Sequence, residues 1–200
     1  MKLLFSPFSP YVRKCLVSAH ELGLSERIEL LPSAASPVTR DQSIIPSNPL
    51  GKVPTFFTED GQALYDSRVI CEYLNELGQG ALFPHGPARW PALTLQSLAD
   101  GLLDAALLVR YEGIIRPERH QWPDWAAAQY NKVETSLDHL HANPSLLDSG
   151  VHIGTIAVGC ALWYLDLRFA DRHWRERAPR VADWFAQFSQ RDSMRMSWSL

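Results

Sequence analysis

The sequence predicts an α/β layer followed by an all-helical domain, and three observations carry that expectation. Up to residue 80, short apolar runs closed by proline alternate with amphipathic stretches. Between Gln79 and Pro87, two glycines and two prolines interrupt both patterns. Beyond that point apolar residues recur at three-four spacing. The expected divisions are 1–80, a linker at 81–87, and a helical domain at 88–200.

Leu3-Leu4-Phe5 reads as a first strand closed by Ser6-Pro7. Ser9-Pro10 opens a helix, because serine caps well and proline suits the first helical position. Val12, Leu16 and Ala19 share one face of it, and Gly23 is the stop. Ile28–Leu31 is a second strand, ended by Pro32. Residues 33–48 are polar and proline-punctuated, so they read as a loop with one short helix at most. Thr55–Thr58 and Gln62–Tyr65 flank Glu59-Asp60-Gly61, a hairpin signal. Asp66 or Ser67 caps the next helix, whose stripe is Val69, Ile70, Tyr73, Leu74 and Leu77, and Gly78 ends it. Four helices follow, at 90–116, 125–141, 153–169 and 179–190. The third is apolar nearly throughout, so it is expected to be buried on most sides.

The bulk numbers exclude several classes. The 200 residues allow one large or two small domains, and the 46% hydrophobic and 20% charged content is that of an ordinary globular chain. A net charge of −3 offers nothing to nucleic acid or an anionic membrane. No signal peptide and no membrane-spanning run is read from the sequence. Cys15, Cys71 and Cys160 are sparse and odd in number, which points to buried reduced thiols and a cytoplasmic setting. The histidines form no ligand pattern, so no metal is expected. The arginines between 168 and 195 alternate with acids, as on a salt-bridged surface.

Two stretches carry chemistry. Asn48-Pro49-Leu50-Gly51-Lys52-Val53-Pro54-Thr55 puts a proline ahead of an apolar strand, where its missing N–H is tolerated. X-Pro bonds adopt cis readily, and a cis Pro54 would turn the Val53 N–H and C=O outward to pair with an extended peptide. Tyr65-Asp66-Ser67-Arg68 sets an acid and a hydroxyl at a helix start, where free N–H groups attract a carboxylate. Together they describe a site for a small peptide with a charged end.

With Ser9-Pro10-Tyr11-Val12-Arg13-Lys14 and Ile153-Gly154-Thr155-Ile156-Ala157 added, the chain resembles the glutathione transferase superfamily along its whole length. It is most similar to serine-type bacterial members and to the plant tau class, with some likeness to omega-like classes. The resemblance implies a thioredoxin-like N-terminal domain, a C-terminal helical bundle and a cytoplasmic homodimer that conjugates glutathione to hydrophobic electrophiles in detoxification or small-molecule metabolism. It makes Ser9 the catalytic hydroxyl. It assigns Val53, before the cis Pro54, to the cysteinyl part of glutathione, Asp66 and Ser67 to the γ-glutamyl end, and Lys52 to the glycyl carboxylate. Tyr11, Tyr111 and Trp163 are candidates for the electrophile pocket, against the plainer reading as core aromatics. Arg13 reaches the site or the dimer partner, or else lies on a solvated face.

Two departures from the family pattern stand out. The helix starting at Ile153 carries His152 and Thr155 where members have Ser or Thr and an Asp, so its capping box is expected to be incomplete. Asp66 stands where many members have Glu. Two competing readings remain open at this stage. A glutathione-dependent reductase or lyase would need cysteine at position 9. A non-catalytic binding protein, as among RNA-polymerase-associated relatives, would lack Ser9 and the Asp66-Ser67 pair.

Overall fold

The computed structural model describes residues 1–33 and 35–196. The chain separates into two compact units, Met1–Phe83 together with the segment from Asp192, and Pro84–Arg191.

The first unit is built on a four-stranded sheet of order β2-β1-β3-β4, from β1 Lys2–Phe5, β2 Glu29–Pro32, β3 Thr55–Phe57 and β4 Ala63–Leu64. β1 and β2 are parallel, and α1, Pro10–Glu21, makes the crossover that a parallel pair requires. β3 runs antiparallel to β1 and β4 to β3. Pro32 is accommodated because β2 is an edge strand. At the hairpin, the Thr58 Oγ1 accepts the Gln62 N–H at 2.9 Å, and Gly61 takes a φ of +85° that favours glycine. α2, Ser67–Leu77, lies beside α1. Leu3, Phe5, Val12, Val17, Phe56, Ile70 and Leu74 form the buried core.

The sequence division at 88–200 assigned the last described residues to the helical domain. They group with the first unit instead. The short helix α8, Asp192–Arg195, packs on α1, and Ser193 and Met194 are buried there. The Arg13 Nη2 donates to the Met194 carbonyl, and the Ser193 hydroxyl donates to Glu21. Arg13 is therefore buried in its own unit and does not lie on a solvated face.

The second unit is helical: α3 Arg89–Ile114, α4 Pro123–Ala142, α5 Ile153–Arg168, α6 Trp174–Arg177 and α7 Pro179–Phe188. By length and composition the stretch Gly86–Ile114 would suffice to cross a bilayer, where the sequence reading expected no such segment. In the fold α3 packs along α4 and α5, burying Leu95, Leu102, Leu103 and Ala106. α5 is buried at every position from Ile153 to Leu162, as its continuous apolar sequence predicts. α6 has no counterpart in the sequence reading, being too short to show a period.

The start of α5 corrects one expectation. The capping box is complete, because the imidazole substitutes for a hydroxyl. The His152 Nδ1 accepts the Gly154 N–H at 3.1 Å, and the Thr155 Oγ1 accepts the His152 N–H at 3.0 Å. The Nε2 sits 2.7 Å from the Ser149 hydroxyl. Acceptance at Nδ1 requires the neutral ring, and burial holds the His152 pKa below its ordinary 6.5. A base with a depressed folded pKa favours folding while neutral. This contribution is complete above pH 6.5 and is lost as pH falls through the lower folded value. His152→Ala is expected to cost about 1 kcal/mol near neutrality. The same substitution should flatten the fall in melting temperature expected below pH 6.5. An unchanged acid slope in thermal scans of the variant would contradict the cap assignment.

Candidate functional site: the open edge of the first unit

Three chain segments converge on one end of the sheet, as the register dictates. β1 ends at Phe5, and its neighbour β3 begins at Thr55 opposite Leu4. β4 ends at Leu64 opposite Phe56. The loop carrying Ser6 to Ser9, the Val53-Pro54 turn and the Asp66-Ser67 helix start therefore all leave the sheet at the same end.

The two helices are also tied directly. The Cys15 thiol lies 3.9 Å from the Ser67 carbonyl, and the Ser18 hydroxyl 3.5 Å from the Cys71 Sγ. Pairing of residue 15 with 67 and of 18 with 71 makes α1 and α2 parallel. Their N-termini, the positive ends of the two helix dipoles, thus face one way. The sequence treated Cys15 and Cys71 as unrelated core residues. The structure sets their sulfurs 4.0 Å apart, both buried and not joined in a disulfide.

Ser9 is the N-cap of α1, and its Oγ accepts the Val12 N–H at 3.3 Å. Capping occupies a lone pair and leaves the hydroxyl proton free to donate elsewhere. The capping and catalytic readings of Ser9 therefore do not compete. Ser6 accepts the Ser9 N–H through its carbonyl at 3.1 Å, which makes it part of the turn.

The Val53–Pro54 peptide is cis. Val53 lies outside the strand ladder, and among the described residues no turn or side-chain hydrogen bond engages its amide or carbonyl. Lys52 is exposed. The preceding loop is organised from within. The Asn48 Nδ2 donates to the Thr55 Oγ1 at 2.9 Å and to the Lys52 carbonyl at 3.2 Å, and the Thr55 hydroxyl donates to that carbonyl at 2.9 Å. Asn48 and Thr55 stand in the motif read from the sequence, but neither was assigned a role there. An asparagine in a turn mostly bonds its own neighbourhood, and nothing local distinguishes one that reaches seven residues on.

Asp66 caps α2, its Oδ1 accepting the Arg68 N–H at 2.9 Å. The rest of the carboxylate is exposed, with Oδ2 3.7 Å from the Arg68 Nε. Ser67 is buried, and among the described residues its hydroxyl has no hydrogen-bond partner. Tyr11 belongs to the first unit, on α1. Tyr111 and Trp163 belong to the second, on α3 and α5, where both are half-buried. Beside Tyr111, burial pushes the Tyr164 hydroxyl up to about 12.

Comparison with known proteins bears on what this edge is for. Residues 8–77 match the N-terminal domain family of glutathione S-transferases, and residues 123–187 match the C-terminal domain family. The uncharacterized GST-like protein YibF of Escherichia coli (strain K12) is 34% identical over 200 residues, covering 96% of each chain. A glutathione transferase family member from Pseudomonas fluorescens Pf-5, solved with bound glutathione, superposes with a TM-score of 0.95 at 43% identity over 100% of this chain and 98% of its own. A glutathione S-transferase from Methylobacillus flagellatus KT, solved with GSH bound, gives 0.87 at 33% identity over 100% and 99%. Together these matches and the two-unit fold show that the chain belongs to the glutathione S-transferase family.

Proposed function

We propose that the protein is a glutathione S-transferase that adds the thiolate of glutathione to a hydrophobic electrophile. The observation that carries the reading is the Val53 main chain, left open at the sheet end where α1 and α2 also begin. An extended cysteinyl residue carries one N–H and one C=O, and an open amide and carbonyl can pair with both as an added strand does. Glutathione in the P. fluorescens relative supports the same ligand.

The remaining groups suit the ends of the tripeptide. Ser67 and Asp66, at the head of α2, take the γ-glutamyl end. Its carboxylate is stabilised by the helix N–H groups, and its ammonium by the exposed carboxylate. Lys52 takes the glycyl carboxylate as a point charge in solvent. Ser9 donates O–H···S⁻ to the cysteinyl sulfur from the positive end of α1. The thiolate then forms a carbon–sulfur bond, and the electrophile releases a leaving group or takes up a proton. Tyr11, on α1 of this same unit, is the proposed apolar contact for the electrophile. The reading extends to a homodimer in the cytoplasm.

Two assays test this. Retention on immobilised glutathione, with elution by free glutathione, is expected. So is thioether formation with an activated aryl halide. Failure of both would move the protein to the non-catalytic binding class. Ser67→Ala is expected to raise the glutathione KM about tenfold with kcat nearly unchanged, since it removes a hydrogen bond to the ionised ligand and not to the reacting sulfur. A fall in kcat of equal size in steady-state kinetics would refute that division of roles.

A further inference from the structure

We propose that Asn48 is a positioning residue for glutathione, which fixes the Lys52–Val53 peptide plane so that the Val53 N–H points out of the fold. The proposal rests on the reading above that this edge binds the tripeptide.

Asn48 is only 1% exposed, and Thr55 is fully buried. A carboxamide has two donor hydrogens and one acceptor oxygen. In Asn48 the donors go to the Lys52 carbonyl and the Thr55 Oγ1, and the Oδ1 accepts the Leu50 N–H at 3.0 Å. Its main chain is engaged too, donating to the Ile44 carbonyl and accepting from the Gly51 N–H, each at 2.8 Å. One buried side chain therefore ties residues 50, 52 and 55 together across a stretch that lies in no helix or strand before Thr55.

The consequence lies in the geometry of a single peptide unit. The cis bonds among the described residues are Val53–Pro54 and Tyr65–Asp66, so the Lys52–Val53 bond is trans. In a planar trans peptide the C=O and the following N–H point in opposite directions. The Lys52 carbonyl accepts two hydrogen bonds from the buried side, from Asn48 and Thr55. Holding that oxygen inward sends the Val53 N–H outward, where a cysteinyl carbonyl would meet it. Without the two donors the plane is free to rotate, and the amide loses its aim although Val53 itself is unaltered. Ser9 lies on a different segment, α1, so the thiolate donor is unaffected.

The test measures glutathione affinity by titration calorimetry, with KM, kcat and melting temperature, for Asn48→Ala, Thr55→Val and Thr55→Ser. Asn48→Ala and Thr55→Val are each expected to raise the glutathione Kd and KM about tenfold with kcat within about twofold, as loss of an aligned hydrogen bond would. Thr55→Ser keeps the hydroxyl and is expected to restore wild-type affinity. A purely structural role would lower the melting temperature and leave Kd the same in all three variants. If Asn48→Ala does not fold, the contrast between the two Thr55 variants decides. Folded variants with wild-type Kd would overturn this inference alone. Absence of glutathione binding by the wild-type protein would instead overturn the function reading on which it rests.

Discussion

Ser9→Ala, which removes the hydroxyl but leaves the helix dipole, is expected to lower kcat with glutathione by about tenfold near pH 6.5, and by less as pH rises toward about 9. A thiol near its ordinary pKa of about 8.5 is mostly protonated at neutral pH. A hydroxyl bond to the anion plus a helix dipole together account for a depression of about one to two units, at about 1.4 kcal/mol per unit. Removing the hydroxyl raises the pKa of the bound thiol, so the thiolate fraction falls most where pH lies below both values. At high pH the bound thiol ionises without help and the variant recovers. Because Ser9 is also the cap of α1, alanine carries a folding cost of about 1 kcal/mol. Ser9→Gly separates the effects, since glycine caps nearly as well as serine but has no hydroxyl. Both variants should show the same kinetic loss, while glycine should keep the wild-type melting temperature. Turnover by either variant equal to wild type between about pH 6 and 8 would remove Ser9 from the chemistry.

The largest stability effect is expected at Gly154, in the first turn of α5. A Cβ built there would lie 2.6 Å from the Ala92 carbonyl oxygen and 2.9 Å from the Leu95 Cβ. Both belong to α3, the helix packed closely against α5. The obstruction on one side is backbone, so no rotamer relieves it and the two helices must separate. Gly154→Ala should therefore cost about 3 kcal/mol, even though alanine is the better helix former. For a chain of this size that corresponds to a melting point lower by about 10 °C. Gly101 and Gly113, on the same α3, have nothing within 4 Å of a built Cβ. Gly101→Ala should leave the melting temperature unchanged or raise it slightly. A thermal scan in which the two substitutions behave alike would refute the close-approach argument.

Much of the fold was legible from local pattern. Ser9-Pro10 at the start of α1, Asp66 at the start of α2 and Gly78 at its end sit where capping chemistry puts them. Helix caps and periodicity depend on residues within about four positions of one another, so a linear sequence displays them directly. α6 and α8 were missed because four residues span about one turn and show no period. The incomplete capping box at α5 was an error of chemistry. A neutral imidazole nitrogen accepts a hydrogen bond as a hydroxyl oxygen does, and burial keeps His152 neutral.

The candidate site divides in the same way. By itself the sequence determined which residue types stand at the two helix starts and before Pro54, because those roles follow from local conformation. Tertiary structure alone decided that Arg13 holds the Met194 carbonyl 181 positions away, and that Cys15 meets Cys71 at a separation of 56. Contacts between distant positions are chosen by how whole elements bury their apolar faces, and that choice leaves no periodic trace along the chain.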